Sequence, residues 1–167
     1  MSIFPADIEE RARHIIASFS EAGHMVSTAE SCTGGLIAGA LTEISGSSAV
    51  VDRGFVTYTN EAKMDMLGVL EPTLKAYGAV SRETALQMAH GALFRSRAHV
   101  SVAVTGIAGP GGGSAAKPVG LVHLAAKSRD GRLIHREMRY GDIGRDQVRL
   151  ATVRTALEMV LELSHSA

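Results

Sequence analysis

An α/β domain with a mixed sheet of five strands and helices on both faces is the fold class that this 167-residue sequence predicts. Three observations carry the prediction. Segments with apolar residues at helical spacing alternate with short β-branched runs along the whole chain. Gly, Ser, Asn or Pro punctuates nearly every junction. The length fits one domain spanning 1–167, large enough to bury a core without disulfides or metal, and neither a repeat nor a linker divides it.

After Pro5, the spacing of Ile8, Ala12, Ile15 and Phe19 predicts an amphipathic helix that Gly23 ends. His24 to Thr28 begins the first strand. Thr28-Ala29-Glu30-Ser31-Cys32-Thr33-Gly34-Gly35 then reads as a strand end and tight turn into a second helix running to about Thr42. Ser45 to Ser48 is a loop, and Val50 to Thr59 a strand with Tyr58 at its end. Asn60 suits the N-cap of a short helix, Glu61 to Leu67, with Lys63 in its first turn. Pro72 opens another short helix, Gly78 breaks it, and Ser81 caps a longer one carrying Ala85, Met88, Ala89, Ala92 and Leu93. Val100 to Val104 is a buried strand that ends at Thr105 and feeds a glycine-rich loop from Gly106 to Pro118. Val119 to Lys127 and Leu133 to Tyr140 flank Asp130-Gly131, a hairpin turn signal. A helix from about Gly144 to Leu163 closes the chain, with Leu150, Val153, Leu157, Val160 and Leu161 on its buried side.

Composition excludes several classes of function. Lys plus Arg (17) balances Asp plus Glu (17), aromatics are 4 %, and no basic run occurs, so the electrostatic footprint of a nucleic-acid binder is missing and a small molecule is the expected ligand. No apolar run approaches membrane-spanning length, the N-terminal residues lack an apolar signal segment, and the single Cys32 has no intrachain partner. The expectation is a cytoplasmic protein without membrane contact, and a homodimer or higher homo-oligomer is ordinary for this size.

Seven histidines (His14, His24, His90, His99, His123, His135, His165) form no His-x-x-x-His pair, so no metal site is expected. The glycine loop fits neither phosphate-cradle motif: Ala116 precedes Lys117, Pro118 follows it, and no Gly-x-Gly-x-x-Gly is present. It is either a ligand-facing edge beyond Thr105 and Gly106 or a surface loop. Ser31 lies ahead of a helix N-terminus, where a nucleophile finds amide donors for an oxyanion, and Thr33, Gly34 and Gly35 permit capping and close approach; a plain N-cap turn explains the same residues. Cys32 competes as nucleophile or is a small buried hydrophobe. Lys63, at a helix's positive end, is the candidate base, against the alternative of a solvated surface lysine. Arg145 and Arg149 share a helix face at a mutual cost of roughly 0.2–0.5 kcal/mol, which a ligand phosphate or a carboxylate such as Asp142 or Asp146 relieves.

Taken together, Thr28 to Gly35, Gly46-Ser47-Ser48, Tyr58 with Lys63, Gly78 to Ser81, Thr105 to Gly112 and Lys117 to Gly120 resemble the CinA C-terminal-domain family, the nicotinamide-nucleotide amidohydrolases, with matches in order from about residue 5 to 163. The resemblance implies a three-layer α/β/α sandwich with a mixed, mainly parallel sheet. It also implies hydrolysis of the carboxamide of nicotinamide mononucleotide to nicotinate mononucleotide and ammonia, without metal or cofactor. In such a site Ser31 is the nucleophile, Lys63 the base, and Tyr58 relays a proton or keeps Lys63 neutral. Cys32, Thr33 and Gly34 then supply oxyanion amides, Thr105 and Gly106 position the pyridine or ribose, Arg145 binds the phosphate, and Ser48 supports the cleft by hydrogen bonding or merely caps its turn. The competing readings are a nucleotide-binding module that never cleaves its ligand and an amidohydrolase for a related pyridine nucleotide.

Overall fold

Burial sorts the strands of the sheet into a centre and two edges in the computed structural model, which describes residues 1–164. The central strands β1 (Val26–Glu30), β3 (Val100–Gly106) and β4 (Leu121–Ser128) are almost wholly buried, whereas β2 (Val51–Val56) and β5 (Leu133–Arg139) are largely exposed or half-buried. The order is β2-β1-β3-β4-β5; β1 pairs parallel with β2 and β3, and β4 pairs antiparallel with β3 and β5. Four of the five strands therefore run in one direction. Continuous burial of the centre requires cover on both faces.

Helices α1 (Ala6–Ala22), α2 (Leu36–Thr42) and α6 (Arg145–Ser164) cover one face, with Ile8, Phe19, Ile37, Leu41, Val153, Leu157 and Val160 in one core with Val26, Val102, Val104, Val122 and Leu124. Helices α3 (Asn60–Leu67), α4 (Glu71–Tyr77) and α5 (Arg82–Phe94) cover the other, with Leu67, Leu74, Ala85, Met88 and Ala92 against Ala29, Ala103 and Ala125. The small residues of this second core let α5 lie close to the sheet. The chain is thus a three-layer α/β/α sandwich.

Several boundaries differ from expectation. The first strand starts at Val26, because Gly23 (φ 69°) closes α1 and the His24 amide still returns to the Phe19 carbonyl. Thr59, rather than Asn60, caps α3, its side chain accepting from the Ala62 amide. Leu150 and Leu161 are partly buried at the margins of the core, and His165 lies outside the described residues.

The strand order creates a crevice. From β1 the chain crosses to β2 on one side, then returns over the sheet through α3–α5 to β3 on the other, so the loops after β1 and β3 diverge at the carboxyl ends of adjacent parallel strands. That point is where open α/β sheets bind ligands.

Helix α5 meets the end of α3 at Gly91, where a β-carbon would lie 1.9 Å from the Leu67 carbonyl oxygen. Gly91→Ala is therefore expected to lower unfolding free energy by about 2–4 kcal/mol, as overpacking against rigid backbone does. Urea unfolding of the variant checks this, and a change below about 0.5 kcal/mol, the usual size for an unconstrained site, contradicts the contact.

Candidate active site

At the mouth of the crevice, Ser31 follows the last residue of β1 and its amide donates to the Val104 carbonyl (3.1 Å), extending the β1–β3 pairing by one residue. The nucleophile candidate is thereby tied to the central sheet. Helix α3 brings Lys63 to it. The Lys63 side chain is 1 % exposed, and its Nζ lies 3.1 Å from Ser31 Oγ, 2.9 Å from the Thr57 carbonyl oxygen and 3.2 Å from the Tyr58 carbonyl oxygen.

Nζ has three oxygen neighbours, and the uncharged amine that a base requires fits them in one way. Two carbonyls can only accept, so they take the two N–H donors of an uncharged Nζ and leave its lone pair for the Ser31 hydroxyl proton. No carboxylate forms an ion pair with Lys63 among the described residues. Burial pulls the Lys63 pKa below the usual 10.5, opposed by the nearby Cys32 sulfur.

Burial acts in the other direction on Cys32, pushing its thiol up to about 11. Cys32 is 6 % exposed and belongs to the α1/α2/α6 core. A protonated, packed thiol is a poor nucleophile at neutral pH, so the competition between the two neighbours favours Ser31.

Glu30 organises the turn, a role the sequence reading did not assign. It is fully buried; Oε1 accepts from the Thr33 hydroxyl (2.5 Å) and the Ile37 amide (2.9 Å), and Oε2 from the Ala38 amide (3.0 Å). Its carboxyl group thus caps α2, whose own N-cap residue, Gly35, has no side chain to do so. Thr33 is correspondingly not the cap but a donor to it. The amides of the first helical turn are occupied by protein, and Gly34 N–H donates to the Ser31 carbonyl (3.1 Å). This corrects the expectation that Cys32, Thr33 and Gly34 all offer amides: only those of Cys32 and Thr33 are without a carbonyl acceptor among the described residues. The signal for Glu30 was available in its position, one residue before a turn into a helix with Gly34-Gly35 at its start.

A cavity of about 270 Å³ opens beside Ser31. Cys32, Tyr58, Lys63, Thr105, Gly106 and Arg145 line it, with Asn60, Ala79, Val80 and the glycine loop from Ile107 to Gly112. The structure therefore joins most of the predicted site residues. Thr33 and Gly34 belong to the same turn as Ser31, but their side of it is not part of the lining. Ser48 does not join them: it is exposed on the short 3-10 turn Ser47–Ala49 that precedes β2, and β2 runs parallel to β1, so Ser48 sits at the opposite end of the sheet from Ser31.

Two expected roles shift. The Tyr58 side chain is 61 % exposed and its hydroxyl accepts from Arg145 Nη2 (3.2 Å), so it is the Tyr58 carbonyl, not the phenol, that holds Lys63. Arg145 Nη1 also donates to the Gly109 carbonyl (2.8 Å), linking the two walls of the cavity. Neither Arg145 nor Arg149 pairs with a carboxylate among the described residues, and Arg149 turns away to the carbonyls of Cys32 (3.1 Å) and Thr33 (3.2 Å). Thr105, 1 % exposed, donates to the Ala79 carbonyl (2.9 Å) and fixes the floor.

Residues 8–164 match the family model described as the CinA C-terminal domain. The chain belongs to the CinA C-terminal domain family. Among its CinA relatives, it is 49 % identical over 155 residues to the nicotinamide-nucleotide amidohydrolase PncC of Enterobacter agglomerans, covering 92 % of this chain and 93 % of that one. It is 52 % identical over 137 residues to PncC of Escherichia coli strain K12, covering 81 % and 82 %. The crystal structure of the competence/damage inducible protein CihA from Agrobacterium tumefaciens superposes with a TM-score of 0.98 at 76 % identity, over 99 % of this chain and 100 % of that one. The CinA domain also forms part of longer proteins: 52 % identity to a putative competence-damage inducible protein of Caldicellulosiruptor bescii extends over 77 % of this chain but 31 % of that one. No helix among the described residues is long and apolar enough to cross a membrane.

The depressed Lys63 pKa has a stability consequence with a definite sign. Between the folded-state pKa and 10.5 the unfolded chain binds a proton at Lys63 that the folded chain does not, so the contribution of this residue to stability rises with pH across that window. Thermal unfolding of wild type and Lys63→Met, compared from neutral to alkaline pH, is expected to show the wild type gaining on the variant as pH rises; a difference independent of pH contradicts a buried neutral amine.

Proposed function

We propose that this protein is a nicotinamide-nucleotide amidohydrolase that hydrolyses the carboxamide of nicotinamide mononucleotide through a Ser31–Lys63 pair. The observation that carries the mechanism is the 3.1 Å contact to Ser31 Oγ from a buried amine with no ion-pair partner among the described residues, at the edge of the cavity. The PncC relatives, similar over most of their length, support the reaction class.

In the proposed cycle, Ser31 Oγ forms a bond to the carboxamide carbon as its proton passes to Lys63 Nζ. The oxyanion is received by the amides of Cys32 and Thr33. Lys63 then returns the proton to the departing nitrogen, the C–N bond breaks, and ammonia leaves a nicotinoyl ester on Ser31. Water, deprotonated by the same amine, attacks that ester, and nicotinate mononucleotide departs as Ser31 recovers its proton. Arg145 uses two of its five N–H donors on Gly109 and Tyr58, which leaves others for the substrate phosphate. Thr105 and Gly106 shape the wall for the pyridine ring or ribose. The chain's own donors and acceptors suffice for every step. The proposal keeps the expectation of a cytoplasmic homo-oligomer acting on a small molecule.

Incubation with nicotinamide mononucleotide in the presence of EDTA, with ammonia and nicotinate mononucleotide measured, is expected to show turnover. Ser31→Ala should lower kcat by on the order of 10³-fold or more, while Cys32→Ala stays within a few-fold of wild type. Binding of the nucleotide without ammonia release favours the non-cleaving module instead. The rate should also rise with pH as Lys63 loses its proton, along a limb below the ordinary lysine range. A limb centred near 10.5 contradicts the depressed amine.

A further inference from the structure

Arg149 lies one helical turn beyond Arg145 on α6, half-buried against the back of the Ser31 turn. Its Nε donates to the Cys32 carbonyl at 3.1 Å and its Nη2 to the Thr33 carbonyl at 3.2 Å. A β-carbon on Gly34 would stand 3.7 Å from the same Nη2, so helix and turn are in close contact here. One planar guanidinium thus spans two successive carbonyls just after the nucleophile, each on a different nitrogen, where an ammonium would have to serve both from one atom.

The consequence follows from peptide geometry. In a trans peptide the C=O and the following N–H point in opposite directions. Tying the Cys32 carbonyl to α6 turns the Thr33 N–H away from α6. Tying the Thr33 carbonyl does the same for the Gly34 N–H, which then meets the Ser31 carbonyl at 3.1 Å and sets the plane of the Ser31–Cys32 peptide that carries the Cys32 N–H. The orientation of both acceptor-free amides therefore traces to Arg149.

We infer that Arg149 is a positioning residue for the hydrolysis: without touching substrate, it holds the peptide planes after Ser31 so that the Cys32 and Thr33 amides are oriented in advance for the oxyanion. The inference rests on Ser31 being the nucleophile. It separates two arginines that share a helix face, Arg145 serving the cavity and Arg149 the turn behind it. Because the oxyanion exists only in the transition state and the intermediates beside it, loss of this support falls on kcat rather than KM.

The test compares wild type, Ser31→Ala, Arg149→Ala and Arg149→Lys with nicotinamide mononucleotide as substrate, alongside thermal unfolding of each. Arg149→Ala is expected to lose on the order of 10²-fold in kcat, the scale of a misplaced oxyanion donor, with KM within about twofold. Arg149→Lys should lose less, and guanidinium chloride at tens of millimolar should restore part of the kcat of Arg149→Ala without raising its unfolding temperature. An unchanged kcat in Arg149→Ala overturns the inference, as does a several-fold rise in KM at constant kcat, which would place Arg149 on the substrate. If Arg149→Ala does not fold, Arg149→Lys decides: reduced kcat at constant KM supports the role, full kcat overturns it. Turnover retained in Ser31→Ala defeats the nucleophile reading and this inference with it, whereas turnover lost in Ser31→Ala but kept in Arg149→Ala defeats the positioning role alone.

Discussion

The hydrogen bond between a buried lysine amine and Ser31 Oγ is the interaction on which the proposed chemistry depends. Its environment is unusual for a lysine: nearly complete burial, two backbone carbonyls, one hydroxyl, and no ion-pair partner among the described residues. Removing an ammonium from water costs several kcal/mol unless it is paired, so burial shifts this amine toward its uncharged form. Burial thus lowers the pKa of this amine below that of a lysine in water. The same burial raises the pKa of the neighbouring Cys32, so one physical effect favours both the proposed base and the proposed nucleophile.

Around this contact the scaffold fixes backbone rather than side chains. Glu30 ends β1 and caps α2, converting a Gly-Gly helix start into a rigid turn. Val104 holds the Ser31 amide, and Arg149 reaches from α6 to the carbonyls that follow. Each comes from a different element, yet all act on the segment from 30 to 34. Arg145 plays the complementary part at the open side, tying Tyr58 to the glycine loop at Gly109 across the cavity. The strand order explains why these elements converge, since the loops after β1 and β3 part at the switch in crossover direction.

Much of this was legible in the sequence, for identifiable reasons. Helical periodicity located α1 and α6, glycine and proline located the breaks, and Asp130-Gly131 located the antiparallel hairpin. Ser31, Lys63 and Arg145 were reachable because each stands at an element boundary, where side chains face a crevice. The limits of β1 were less legible: its buried segment, Val-Ser-Thr-Ala-Glu, is polar because Glu30 and Ser27 find partners in the surrounding helices, a tertiary effect that hydropathy does not record. Ser48 misled for the opposite reason. A Gly-Ser-Ser loop looks alike at either end of a sheet, and only the parallel β1–β2 pairing places it far from Ser31. The phenol of Tyr58 and the guanidinium of Arg149 could not be aimed from spacing alone, since their partners are 87 and 116 or more residues distant in the chain.

The charge state of Lys63 in the folded protein is the central claim, and it can be measured directly. Lysine labelled at Cε, followed by NMR through a pH titration and assigned by comparison with Lys63→Met, reports the protonation of this one amine. A titration midpoint below 10.5 that moves when Ser31 is replaced by Ala is expected, because the hydroxyl is the hydrogen-bond partner of the amine. A Lys63 resonance that titrates with the surface lysines, unaffected by the loss of the Ser31 hydroxyl, would contradict it.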